Sequence, residues 1–182
     1  MDGPFYNDLL KPFIITDVAS VTLSTTNKAL YPVANIPAMG KDYWWPGKQV
    51  EINVFGRITT AATPGNLTIA LFYGTGADAN GTSLAASAAQ TLIANQTNLS
   101  WRAKFVCHCR AIGTSGSLFV DGDGQFNAAV IAAGSFVIPA SAPAAVTVDL
   151  TVASNILSLQ ALRSGSTAET MQIHRVTVIA LN

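Results

Sequence analysis

Two cysteines, a histidine and two aspartates lie close together in the stretch "FVCHCRAIGTSGSLFVDGDG", residues 105–124. Thiolate, imidazole and carboxylate groups are the usual protein ligands of metal ions, and a thiolate beside an imidazole is a common nucleophile. The stretch therefore suggests a metal site, a reactive thiol or a calcium loop. The choice among them depends on the secondary structure that positions these side chains.

An extended strand over residues 101–112 separates the thiols from the imidazole. Successive side chains of a strand point to opposite faces, so Cys107 and Cys109 share a face with Phe105, whereas His108 points the other way. Such a strand cannot present both sulfurs and the imidazole to one metal ion. Residues i and i+2 also lie about 6.6 Å apart with parallel Cβ directions, which does not suit a disulfide. We therefore expect two buried, unreactive thiols and no metal, in a protein made in a reducing cytoplasm.

The two aspartates do not complete a calcium loop. Counting from Asp121, the sixth position is Phe126 and the twelfth is Ala132, where a calcium loop has glycine and glutamate. Residues 121–124 instead predict a turn after "SLFV". Elsewhere "GTGADA" (74–79) lacks the third glycine of a dinucleotide fingerprint, and two histidines with ten scattered acids form no acid–base pair. These patterns predict neither a cofactor nor enzymatic activity.

Alternation of apolar and polar residues is the dominant pattern along the chain, and it is typical of half-buried strands. Segments rich in Gly, Pro and Asn separate the alternating stretches. About eight to ten strands at this spacing predict an all-β sandwich or barrel. The stretch "SLAASAAQTLIAN" (83–95) fits either one short helix or an irregular strand and loop. The clearest strands are "QVEINVFGRIT" (49–59), "LTIALFY" (67–73), "VTVDLTV" (146–152), "ILSLQAL" (156–162) and "QIHRVTVIAL" (172–181).

Charge is scarce in this sequence. Only 11% of the residues are charged and the formal net charge is zero, against about 25% charged residues in typical soluble domains. Such a surface is either a neutral, Ser- and Thr-rich exterior or one that other subunits cover. The absence of a charge block argues against a nucleic-acid or membrane partner. The longest uncharged stretch, 124–148, contains Pro139 and Pro143 and does not predict a transmembrane helix.

Three basic residues share the outward face of the strand over 101–112, namely Arg102, Lys104 and Arg110. Either this row is solvated and paired with acids such as Glu51 on a neighbouring strand, or it faces an acidic surface of a partner protein. No aromatic stacking platform shares that face, which argues further against nucleic-acid binding.

The pattern over residues 1–27 predicts an extended arm, because prolines interrupt a segment that carries apolar side chains. The arm packs on its own domain, or it lies on a neighbouring subunit or partner. Its start, "MDGPFYNDLLKP", lacks the basic and apolar regions of a secretory signal. Under the second interpretation the anchoring residues are Phe5, Tyr6, Leu9, Leu10 and Phe13.

The last strand carries apolar residues on both faces from Val176 onward. Either a β-bulge shifts the alternation or the strand is covered on both sides. The cover is then a second subunit or a loop of the same domain. The predicted subunit-contact residues are Val176, Val178, Ile179 and Leu181.

Several stretches of the chain resemble a family of small structural proteins of tailed bacteriophages. These are jelly-roll proteins of the virion, and several are similar to capsid decoration, or cement, proteins. The likeness covers about residues 28–182 and is weaker over the first 27. The matching stretches include "ALYPVANIPA" (29–38), "WPGKQVEINVFGRITTAATPGNLTIALFYGTGADANG" (45–81), "CRAIGTSGSLF" (109–119) and "SGSTAETMQIH" (164–174).

The resemblance implies an all-β jelly-roll β-sandwich over residues 28–182 with an extended N-terminal arm over 1–27. It also implies a homotrimer bound to the phage major capsid protein on the outer surface of the head, with no catalytic residue or cofactor to carry over. We predict that the arm is the anchor, because it carries apolar residues on a segment interrupted by prolines. A second hypothesis is a receptor- or glycan-binding module of a tail fibre or spike, for which "YWWPG" (43–47) supplies an aromatic cluster. The same cluster also fits a core plug before a turn. A third is a self-assembling capsid protein.

Overall fold

The structure is a computed structural model that describes residues 13–32, 34, 36–40, 42–165 and 167–181, with the backbone alone for 13–15. None of these residues forms an α-helix, and so no described segment could cross a membrane as a long apolar helix. The strands of the described chain are β1 (Phe13–Thr16), β2 (Val21–Thr22), β3 (Lys28–Ala29), β4 (Gln49–Thr59), β5 (Asn66–Gly74), β6 (Thr82–Ala86), β7 (Gln90–Thr91), β8 (Leu99–Ala111), β9 (Gly116–Phe126), β10 (Ser135–Ile138), β11 (Val146–Val148), β12 (Ile156–Arg163) and β13 (Thr170–Ala180).

The described strands form two antiparallel sheets. The large sheet has the order β1-β13-β4-β8-β9-β10, with β2 also paired to β13 and β11 to β9. The small sheet has the order β3-β12-β5-β6, with β7 also paired to β5. Buried apolar side chains from both sheets belong to one hydrophobic core. The predicted all-β sandwich is therefore confirmed.

One two-stranded ribbon winds across both sheets. Strand β4 pairs with β13 in the large sheet, and β5 pairs with β12 in the small sheet. One connection leads from β4 to β5, and another leads from β12 to β13. Both connections cross from one sheet to the other, and they do so at the same corner of the sandwich. This winding is that of a jelly roll, which packs two sheets from one folded-over ribbon.

Burial along the long strands follows the alternation of the sequence. On β4 the inward residues Val50, Ile52 and Ile58 are at most 1% exposed. The final strand departs from strict alternation because its pairing register shifts between Ile173 and Arg175. A β-bulge is therefore present, and its extra residue moves the side chains that follow Ile173 to the other face. It does not remove the apolar residues from both faces, because Val178 is buried inward and Ile179 still lies on the outer face, so cover of that end of the strand stays a prediction.

One sequence prediction is wrong, and one pair of alternatives is decided by the structure. Residues 121–124 do not form a turn, because they continue β9 and pair with β8 as far as Phe126. The stretch 83–95 is the irregular alternative, since it contains β6, β7 and a loop.

The N-terminal segment joins the large sheet where it is described. Residues 13–16 and 21–22 both pair with β13, so the edge of β13 is covered by main chain. Among the predicted anchor residues, Phe5, Tyr6, Leu9 and Leu10 lie outside the described residues, and only the backbone of Phe13 is described. The division of the chain at residue 27 stays a prediction.

Candidate docking surface

The outer face of the small sheet is covered by a loop of the chain, whereas side chains at the middle of the outer face of the large sheet are exposed. On the small sheet, the side chain of Gln160 is fully buried beneath the loop between β5 and β6. Its amide nitrogen donates hydrogen bonds to the carbonyls of Ala77 and Asn80, both at 3.2 Å, and its amide oxygen accepts one from the Ala79 N–H at 3.1 Å. On the large sheet, Phe55 is 42% exposed at the middle of the outer face. Within the described residues, the outer face of the large sheet is thus the open one.

The register of β13, β4, β8 and β9 arranges the outer side chains in rows. Directly opposed residues of an antiparallel sheet point to the same face, so each row crosses the four strands. Three consecutive rows are Arg175–Phe55–Arg102–Gln125, Thr177–Asn53–Lys104–Asp123 and Ile179–Glu51–Val106–Asp121.

In the rows beyond Phe55, Lys104, Glu51 and Asp121 have ionisable partners, whereas Asp123 has no ion pair with the described residues. The ammonium of Lys104 lies 2.7 Å from Glu51 Oε2, and Asn53 Nδ2 donates to Glu51 Oε1 at 2.6 Å. Hydrogen bonds from Lys104 and Asn53 lower the pKa of Glu51, and the same contact raises the pKa of Lys104. His108 Nε2 lies 3.0 Å from Asp121 Oδ2 in the adjoining part of the face. The predicted pairing of the basic row with Glu51 is correct for Lys104.

The other two residues of the predicted basic row have neutral partners. Arg102 donates to Gln125 Oε1 at 2.7 Å, and the guanidinium carbon of Arg110 lies 4.4 Å from the centroid of the Phe119 ring. Both arginines are exposed, as the alternation predicts. Neither arginine has a carboxylate partner among the described residues.

Three arginines surround the exposed phenylalanine. Arg102 and Arg175 lie directly across from Phe55 on the two neighbouring strands, and Arg57 is two residues further along β4 on the same face. Arg57 donates to Gln172 Oε1 at 2.8 Å, and none of the three forms an ion pair with a carboxylate of the described residues. We call Phe55, Arg57, Arg102 and Arg175 the arginine patch.

A hollow of about 490 Å³ opens beside the arginine patch. Phe55, Arg102 and Arg175 form one side of it, and the adjoining row supplies the other side. Two guanidinium groups beside an apolar ring give the hollow donors for carboxylates next to an apolar contact surface. The sequence did not predict this grouping, because Arg57 and Arg175 are far from Arg102 along the chain.

The thiols are buried, as predicted. Cys107 is fully inaccessible, Cys109 is 2% exposed, and neither forms a disulfide. Burial raises the pKa of both thiols, and the proximity of Cys109 adds to the shift at Cys107. Within the described part of the chain, no three His, Cys, Asp or Glu side chains are grouped in a way that could hold a metal ion.

The aromatic cluster at 43–47 holds a lysine of the same chain. Trp44 is 5% exposed and packs edge-on against Tyr73, so the predicted core plug is correct for this residue. The ammonium of Lys48 lies 3.5 Å from the ring centroid of Tyr43 and 4.0 Å from that of Trp45. Lys48 is itself 4% exposed, so these two rings contact a buried cation.

The predicted subunit-contact residues are divided between core and surface. Val176 and Val178 are buried in the core of their own sandwich, at 1% and 7% exposure. Ile179 is half-buried and Leu181 is 48% exposed. A second subunit could therefore reach Ile179 and Leu181, whereas the two valines contribute to the stability of the fold.

No protein-family model and no curated protein matches this chain. One solved structure with similarity to it belongs to a study of botulinum neurotoxin type C, whose entry into cells depends on interaction with two ganglioside molecules. The two chains are 10% identical, with a TM-score of 0.31, and the match covers 94% of this chain and 44% of the toxin chain. This chain thus spans less than half of the toxin chain, and a likeness at this level carries no functional argument.

Proposed function

We propose that this protein is a structural component of a tailed-phage virion, a decoration protein that binds the outer surface of the head and stabilises the major capsid protein lattice. The observation that carries the proposal is the open outer face of the large sheet. Its four central strands have 11 or 13 residues each. At the usual strand spacing and rise they present roughly 700 Å², close to the ~800 Å² that each partner buries in a stable interface.

The distribution of charge also supports a docking role. Lys104 and Glu51 neutralise each other across the face, so a partner does not have to strip water from an isolated charge there. A homotrimer would present three such faces, and simultaneous contact with several lattice subunits would raise the total affinity. The resemblance of residues 28–182 to jelly-roll virion proteins points to the same role.

The copy number of the chain per particle tests the proposal. Purified virions are separated into heads and tails, and the chain is quantified against the major capsid protein by mass spectrometry with labelled peptides. We expect it in the head fraction, at a copy number of the same order as the capsid protein. A few copies confined to the tail would overturn the proposal and favour the receptor- or glycan-binding module. Shells formed by the purified chain alone would also overturn it, in favour of a capsid protein.

The aromatic cluster does not favour the glycan-binding alternative. Sugar stacking needs an open ring face, and the rings of Tyr43 and Trp45 already contact the ammonium of Lys48. Trp44 is in the core.

A further inference from the structure

We propose that the arginine patch binds an acidic, extended segment of a partner protein, with an apolar side chain of that segment on Phe55 and carboxylates on Arg102 and Arg175. The inference rests on the proposed function, because it names the chemistry by which the open face would recognise its partner. The residues proposed to recognise this partner are the four of the arginine patch.

Unbalanced charge is the first argument. The protein has only ten basic residues, and three of them surround one exposed ring on the open face. The acids of this face lie in the neighbouring rows, where Glu51 is bound to Lys104 and Asp121 to His108. Asp123, directly across from Lys104, also lines the hollow and has no ion pair with the described residues, so three arginines and Lys104 face two carboxylates there, those of Glu51 and Asp123. The side chains of Arg102 and Arg57 donate only to neutral amides, and the side chain of Arg175 has no hydrogen bond or ion pair with the described residues. The patch is therefore complementary to carboxylates.

Geometry is the second argument. Arg102 and Arg175 lie on the strands either side of Phe55, so their Cα atoms are about 10 Å apart. Residues i and i+4 of an extended chain share a face and lie about 13 Å apart, which two long guanidinium side chains can span. A segment of the form acid–x–apolar–x–acid would place its central side chain over the Phe55 ring. Arginine and aromatic residues are also the side chains most enriched at the energetic centres of protein interfaces.

Partial cover of the ring favours a protein segment over an acidic polysaccharide. Phe55 is 42% exposed because long side chains lie on both sides of it, so it offers a small apolar contact rather than an open stacking platform. Phe55 is the exposed apolar side chain in the lining of the adjoining hollow between Arg102 and Arg175, and one apolar side chain of a peptide would lie against it.

The direct test uses the full-length chain and a short peptide containing Glu-Ser-Leu-Ser-Glu, with the Gln-Ser-Leu-Ser-Gln peptide as its control. We expect binding by calorimetry that weakens as salt is added, and no binding of the control. Arg102→Gln and Arg175→Gln should each weaken binding about tenfold, the change expected for one charge-assisted hydrogen bond. Arg110→Gln is the matched variant, because Arg110 is on the same face and outside the patch; it should bind like the wild type.

The same variants are then tested for attachment to capsids stripped of the chain. Loss of attachment by the Arg102→Gln/Arg175→Gln double variant, with an unchanged unfolding midpoint, would support the inference. Equal attachment of double variant and wild type would overturn it and leave the decoration role standing. A wild-type chain that binds the acidic peptide but no capsid would overturn the decoration role alone. The inference would also be overturned if an acidic polysaccharide displaced the bound peptide at a carboxylate concentration lower than that of the peptide.

Discussion

The ring of Phe136 occupies the space that a side chain at Gly124 would fill. The two residues are directly opposed on β10 and β9, and a Cβ atom at position 124 would lie 2.0 Å from Phe136 Cζ. The ring also packs against Phe126, with centroids 5.6 Å apart. A glycine within a strand normally weakens it, and here a cross-strand aromatic side chain compensates for the missing contact.

We therefore expect Gly124→Ala to lower the free energy of unfolding by about 1–2 kcal/mol. Overpacking costs about 1–3 kcal/mol, and the reduced entropy of the unfolded chain offsets up to about 1 kcal/mol of that. Urea unfolding of wild type, Gly124→Ala, Phe136→Ala and the double variant would give the coupling between the two sites. In the Phe136→Ala background, Gly124→Ala should cost nothing. An equal cost in both backgrounds would show that the ring is not the cause.

The same relationship explains why the turn predicted for residues 121–124 is wrong. Two Asp-Gly pairs in a row are typical of turns when only local preferences are considered. Each glycine instead lets another part of the chain approach: a Cβ at Gly122 would lie 2.2 Å from the Lys104 carbonyl oxygen. Such contacts are between residues distant in sequence and leave no local pattern. Alternation on β4 is local, and for that reason its buried face was predictable.

The arginine patch was unpredictable for a related reason. Strict alternation places Arg175 on the same face as Ile173, which is fully buried. The bulge between these residues moves Arg175 to the outer face, opposite Phe55. Whether a bulge occurs depends on the pairing of β13 with β4, so the composition of the patch follows from register rather than from the spacing of arginines in the sequence.

Glu169 and Arg163 form a buried ion pair at the corner where the ribbon crosses between the sheets. Glu169 is fully buried, and its Oε2 lies 3.1 Å from Arg163 Nε. That N–H donates to the Leu23 carbonyl, so Oε2 accepts no hydrogen bond within the described chain. Thr167 Oγ1 donates to the other carboxylate oxygen at 2.9 Å. The pair joins the N-terminal segment to both crossing loops.

Glu169→Gln should lower the free energy of unfolding by about 3 kcal/mol, because it leaves the guanidinium of Arg163 buried without a counter-charge. Glu51→Gln is the matched control, since it makes the same change in a surface pair whose lysine is exposed and whose carboxylate is only partly buried, where an ion pair contributes less. Chemical denaturation at neutral pH would compare the two. Equal losses for the two variants would contradict a special role for the buried pair.

The contribution of Glu51 to stability should depend on pH in acid solution. Its pKa is lowered in the folded state by hydrogen bonds from Lys104 and Asn53. A carboxyl group whose folded pKa is depressed stabilises the fold fully above its unfolded pKa, near 4.3, and loses that contribution as the pH falls through the folded value. The difference in unfolding midpoint between wild type and Glu51→Gln should therefore be present at pH 7, begin to shrink as the pH nears the unfolded pKa, and vanish only when the pH is below the folded pKa. A difference that grows on acidification would refute this assignment.

The buried thiols should be unreactive in the native protein. Burial raises the pKa of both Cys107 and Cys109, so little thiolate forms near neutral pH, and neither sulfur is accessible to reagent. We expect a disulfide-exchange reagent such as DTNB to label neither thiol at pH 8 until denaturant is added, when both react. Cys107→Ala and Cys109→Ala variants identify which thiol responds. Rapid labelling of either one in the native state would show that β8 opens locally or that its face is exposed.

Removal of residues 2–12 tests the proposed anchoring role of the N-terminal arm. Strand β1 begins at Phe13 and covers the edge of β13, so this truncation leaves the described sheet intact. We expect an unfolding midpoint close to that of the wild type and loss of attachment to capsids, because Phe5, Tyr6, Leu9 and Leu10 are removed. Removal of residues 2–15 serves as a comparison that also takes away most of β1, and it should lower stability as well by uncovering the β13 edge. Undiminished attachment of the shorter truncation would show that the arm is not an anchor, and would leave the outer face of the large sheet as the surface to examine.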